Sequence, residues 1–158
     1  MPYDLTLSRE IAASPATVWR CLTEPELLKQ WFAPRPVTIT KLELDPTPGG
    51  IWLLAMDIPE MGVMEEPAGC VLIAEPEKRI AWTSALGPGF RPNAVKTGEM
   101  DFPLTAIMEI EATATGCRYT ATALHASEAD MKKHEAMGFH DGWGQVADQL
   151  KEMAEAGL

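Results

Sequence analysis

The stretch from Ser127 to Ala156, SEADMKKHEAMGFHDGWGQVADQLKEMAEA, constrains the fold of this chain more than any other. It predicts one long C-terminal helix. Ser127 is a good N-cap, and Asp130 three residues later gives a weak capping-box pattern. Glu128 and Asp130 fall in the first turn, where the helix dipole favours acids, and Gly157 follows as a C′ glycine. At 1.5 Å per residue such a helix is roughly 40 Å long. Phe139, Trp143, Val146, Leu150 and Met153 recur at helical spacing and make one apolar face. Gly138 and Gly142 flank that face, each costing about 1 kcal/mol relative to alanine. Such a cost calls for a use: a close backbone approach, a bend, or room for a ligand. A helix with one apolar face must also bury it, and the upstream chain reads as a sheet suited to that task.

The remaining elements follow in order. Tyr3, Leu5, Leu7 and Ile11 alternate with Asp4, Thr6, Ser8 and Glu10, as in a half-buried strand. Ser14-Pro15 starts a short helix with Val18, Trp19 and Leu22 on its buried face. Thr23-Glu24-Pro25 starts a second one, which stops near Trp31-Phe32 before Pro34 and Pro36. Strands are predicted over 37–44, 51–58, 69–74, 79–86, 104–114 and 117–126, with a turn cluster at Pro46 to Gly50 and a loop or irregular hairpin over 59–67. Residues 86–102 form the longest irregular region, the kind of segment that serves as a gate. Hairpin-length connections imply antiparallel pairing, and helices segregated from strands imply an α+β fold. A curved antiparallel sheet wrapped around the C-terminal helix satisfies both. Residues 1–158 are expected to form one domain.

Composition narrows the function classes. Cys21, Cys70 and Cys117 are widely spaced, and no CxxC occurs, so buried free thiols are expected rather than disulfides or a zinc site. The formal charge of −10 disfavours nucleic acid and anionic membrane surfaces. No apolar run reaches the length of a membrane span, and the first residues lack the marks of a signal peptide. A cytoplasmic protein is the expectation. GxSxG, P-loop and GxGxxG patterns are absent.

Several segments together carry a family pattern. They are Ser14 to Trp19, Thr23-Glu24-Pro25, Trp31-Phe32-Ala33-Pro34, Pro48-Gly49-Gly50 with Trp52, Pro76 to Thr83, Gly116 to Tyr119, and Gly138 to Gly144 with Gln149-Leu150. In this order and spacing the chain resembles the START-like, Bet v 1-like superfamily. Within it, the chain resembles the single-domain activator of Hsp90 ATPase homologue group. The resemblance implies a helix-grip fold with a cavity between sheet and helix that binds a small apolar molecule. It also raises two alternatives: a polyketide cyclase or dehydratase, and a module touching an Hsp90-type chaperone. The co-chaperone that names the group carries a separate N-terminal Hsp90-binding domain, for which this chain is expected to have no room. A homodimer is compatible with the sequence, which offers no interface. No metal or cofactor is expected.

Strand parity places Trp52, Leu54 and Met56 together, then Ile80, Trp82 and Ser84, then Leu104, Ala106, Met108 and Ile110. These residues either fill a core or line a wide apolar pocket. The candidate ligand-binding set is Trp31, Trp52, Leu54, Met56, Trp82, Ser84, Phe90, Met108, His125, Gly138, Gly142 and Trp143. His125 shares parity with Tyr119, Ala121 and Ala123 and should point inward, which makes it the candidate catalytic group as well. His134 falls nearly opposite the Phe139 stripe, so solvent is expected for it. His134 and His140 are six residues apart, too far for a HExxH metal site. His140 is expected in a surface ion pair. Arg9 has inward parity and needs a carboxylate, for which Glu135 is the candidate. Arg91, beside Phe90, is a candidate for closing the cavity mouth.

Overall fold

The alternation around Leu5, Leu7 and Ile11 forms β1, Asp4–Ile11, the edge strand of a large antiparallel sheet. The computed structural model describes residues 3–95, 98 and 101–157. Helices α1, Pro15–Thr23, and α2, Pro25–Trp31, come next. Each opens on a proline, whose missing N–H costs nothing in a first helical turn. The Ser14 hydroxyl accepts a hydrogen bond from the Thr17 amide, and Glu24 is both the C-cap of α1 and the N-cap of α2.

The strands that follow are β2, Thr38–Leu44; β3, Ile51–Ile58; β4, Gly62–Glu65; β5, Gly69–Glu75; and β6, Arg79–Thr83. Then come β7, Leu86–Gly87; β8, Arg91–Pro92; β9, Leu104–Thr113; and β10, Gly116–His125. The main sheet runs β1-β10-β9-β6-β5-β3-β2, with β4 added to β3 as a hairpin. β7 and β8 pair only with each other, inside the segment expected to be irregular. Register shifts between Ile39 and Lys41 and between Val71 and Ile73 bend their strands and help the sheet to curl. The architecture is α+β, a curved antiparallel sheet gripping a C-terminal helix.

That helix is not one piece. It divides into α3, Glu128–Ala136, and α4, Phe139–Glu155. Gly138 between them has φ +93°, a conformation most side chains avoid. The three glycines of this region have three separate uses. Gly138 makes the bend. Gly142 faces open space, since a Cβ there would meet nothing within 4 Å. Gly144 is the close approach: a Cβ there would lie 3.1 Å from Arg9 Nη2.

The filled part of the core lies where α4 crosses α1, α2 and β1. Ile11, Val18, Leu22, Leu28, Trp31 and Leu150 are all buried in it. Gln149 joins α4 to the chain leaving α2. Its Nε2 donates to the carbonyls of Trp31 (2.9 Å) and Ala33 (2.8 Å), and its Oε1 accepts from the Arg35 amide (3.1 Å). Cys21, Cys70 and Cys117 are free and buried, and burial pushes the Cys21 thiol up to about 11. Arg9 does not meet Glu135. It reaches Asp148 on α4 instead, with Nε to Oδ1 at 2.7 Å.

Candidate functional site

Beyond the filled core, the concave face of the sheet and α4 stand apart and enclose a cavity of about 620 Å³. Its sheet wall comes from alternate residues of four strands, as a period of two dictates. These are Trp52, Leu54 and Met56 on β3, Trp82 and Ser84 at β6, Leu104, Ala106 and Met108 on β9, and Tyr119 and Ala121 on β10. Trp52 and Trp82 stack with ring centroids 4.5 Å apart and planes 9° from parallel. The helical wall is Gly138, Phe139, Gly142, Trp143 and Val146. Gly142 widens it, because the helix presents backbone where another residue would present a side chain.

Nine of the twelve sequence-predicted residues line this cavity: Trp52, Leu54, Met56, Trp82, Ser84, Met108, Gly138, Gly142 and Trp143. Three do not. Trp31 is buried in the filled core, where its Nε1 donates to the Cys21 carbonyl at 2.9 Å, and Phe32 takes the place on the wall. Phe90 is exposed and lies against Gly49, where a Cβ would sit 3.0 Å from its ring. His125 points inward as expected but stands behind the wall. Arg91 is exposed and off the wall. From the same segment Asn93, Ala94, Val95, Asp101 and Phe102 do contribute to it, while Lys96, Thr97, Glu99 and Met100 of the expected gate lie outside the described residues.

His134 corrects the sequence reading most sharply. It is 7% exposed and lies on the cavity wall. The phase of the Phe139 stripe cannot be carried back through the bend at Gly138, so α3 turns a different face inward. The rings of Phe102, Phe139 and Trp143 surround the imidazole, at centroid distances of 5.0, 5.2 and 5.5 Å. His134 Nδ1 is 2.9 Å from His125 Nε2, and His125 Nδ1 is 2.7 Å from the Tyr3 carbonyl oxygen. Burial, helped by the neighbouring His125, lowers the His134 pKa to about 4, so the ring is neutral near neutral pH. His140 is exposed, 3.6 Å from Glu135, as its expected surface role requires.

Trp82 Nε1 and the Tyr119 hydroxyl, both on the wall, have no hydrogen-bond partner among the described residues. Tyr119 is 3% exposed. Burial raises its pKa above the usual phenol range, so the hydroxyl stays neutral. Glu66 and Asp101 are the carboxylates on the wall, and no Arg or Lys occurs there among the described residues. His, Cys, Asp and Glu form no group able to hold a metal ion among the described residues. No helix is long and apolar enough to cross a membrane among them.

Residues 12–155 match the family described as activator of Hsp90 ATPase homolog 1-like protein. The chain is similar to protein NE0264 from Nitrosomonas europaea, at 44% identity and a TM-score of 0.90, covering 99% of this chain and 96% of that one. A protein from Rhodobacter sphaeroides is 20% identical with a TM-score of 0.81, covering 99% of this chain and 95% of that one. The AHSA1 protein SPO3351 from Silicibacter pomeroyi is 19% identical with a TM-score of 0.71, covering 98% and 99%. The last two likenesses establish the fold alone. No curated protein matches the chain.

Proposed function

The chain belongs to the family of activator of Hsp90 ATPase homolog 1-like proteins, and from that premise we propose that it binds a small, mostly apolar molecule in the cavity between sheet and α4. The observation that carries this reading is the cavity of about 620 Å³, walled by aromatic and aliphatic side chains with a few polar groups. Its size and lining are those of small-molecule sites in general. Gly142 supports the same reading. A glycine inside a helix costs about 1 kcal/mol relative to alanine, and here no packed neighbour accounts for it. Room for a ligand does.

Gly142→Phe tests the proposal. The new ring enters the cavity, and the helix gains a better former than glycine, so the fold is expected to survive. Binding of the neutral fluorescent probe N-phenyl-1-naphthylamine should weaken by at least about tenfold, a loss of roughly 1.4 kcal/mol. Native mass spectrometry of protein from its own host should show a bound small molecule that the variant lacks. Unchanged probe binding in a folded Gly142→Phe protein would place the ligand elsewhere and sink the reading.

A further inference from the structure

The hydrogen-bond chain behind the cavity wall fixes which proton each imidazole carries. The Tyr3 carbonyl oxygen can only accept, so His125 Nδ1, 2.7 Å away, must donate to it. In neutral His125 the other nitrogen, Nε2, is then an acceptor. His134 Nδ1, 2.9 Å from that nitrogen, must donate in its turn. Neutral His134 is thereby left with a bare lone pair on Nε2. His125 stands behind the wall and holds the Nδ1 side, so Nε2 is the ring nitrogen left for the cavity. It makes no hydrogen bond among the described residues, although the side chain is 7% exposed. An acceptor that faces the cavity and takes no donor from the protein is one that a ligand can satisfy by supplying the donor.

We propose that the ligand of this cavity is an uncharged aromatic molecule carrying a phenol-type hydroxyl, which donates to His134 Nε2. The inference rests on the cavity-binding reading above and deepens it. Three features select the class. The acceptor demands a donor. The rings of Phe102, Phe139 and Trp143 around His134 offer flat apolar surfaces at that end. The wall carboxylate of Asp101, together with the bare lone pair, opposes a carboxylate or phenolate ligand. His125 is a positioning residue: it does not line the cavity, and it acts by holding the His134 tautomer.

The test is a matched pair of probes at neutral pH, 2-naphthol and 2-methoxynaphthalene, which differ in the hydroxyl proton. Calorimetric titration of the full chain is expected to give about tenfold tighter binding for 2-naphthol. In His134→Phe the preference should vanish while 2-methoxynaphthalene still binds. Should that variant not fold, His125→Leu serves. It frees His134 to carry its proton on Nε2, so the preference should shrink, which loss of packing alone would not cause. His140→Gln, at an exposed histidine away from the wall, should leave the preference intact. Equal binding of the two probes to the unaltered protein overturns the donor assignment and leaves cavity binding standing. Binding of neither probe overturns both. Retention of the preference in folded His134→Phe assigns the donor's partner to another group and likewise overturns the proposal.

Discussion

Replacing Gln149 with leucine is expected to lower the unfolding free energy by about 3 kcal/mol. The leucine fills the volume but leaves the Trp31 and Ala33 carbonyls and the Arg35 amide without their partner. A buried polar group stripped of its partner costs about 1–3 kcal/mol, and water can reach part of this segment, so the sum falls below three full penalties. For a domain of this size that is a fall in Tm of roughly 10 °C. Urea unfolding monitored by tryptophan fluorescence measures it. A loss under about 0.5 kcal/mol, the range of ordinary surface changes, would mean that the segment after α2 does not depend on this side chain.

The second large effect is a pH dependence set by His134. Its folded pKa is about 4 against an ordinary 6.5, so the unfolded chain takes up the proton first as pH falls. The stabilisation from keeping the ring neutral is complete above 6.5 and is lost as pH falls from there to about 4. At about 1.4 kcal/mol per pKa unit the loss approaches 3 kcal/mol. The groups packed against the ring are His125, Phe102, Phe139 and Trp143, so among the described residues no carboxylate touches it to hold the charged form. Imidazole proton shifts followed by NMR should put the His134 midpoint near 4. A midpoint near 6.5 would show that the ring is hydrated and that its contacts with His125 and the aromatic rings do not persist in solution.

The sheet is legible in the sequence because alternation and turn residues are local signals. Asp4–Ile11, Ile51–Ile58 and the Gly116 hairpin all fall within a residue or two of their expected bounds. Strand parity also brings Trp52, Trp82 and Met108 to one wall. What escaped were properties that depend on a joint between elements. The bend at Gly138 breaks the helical phase, so the phase of the Phe139 stripe points His134 to solvent although it lies inside. At the end of α2 a shift of one residue exchanges Trp31 for Phe32 on the wall. Arg9 and its carboxylate sit on different elements, and the packing of α4 against β1 brings Asp148 within reach, whereas Glu135 lies on α3 beyond the bend. One signal for His134 is present in α3: Glu128, Asp130, Lys132, Lys133 and Glu135 are charged, and His134 lies three residues after Met131, which packs inward, so the two share a helical face.

The division of the interior into a filled end and an open end has an evolutionary consequence. Trp31, Leu150 and Gln149 decide whether the chain folds, and none of them lines the cavity. Met56, Gly142 and Val146 border open space and are not fully buried, so exchanging them alters the shape of the cavity without emptying a packed site. If the cavity binds a ligand as proposed, a lineage built on this plan can change what it binds in single steps, each nearly neutral for stability, while the folding half is held under a separate selection.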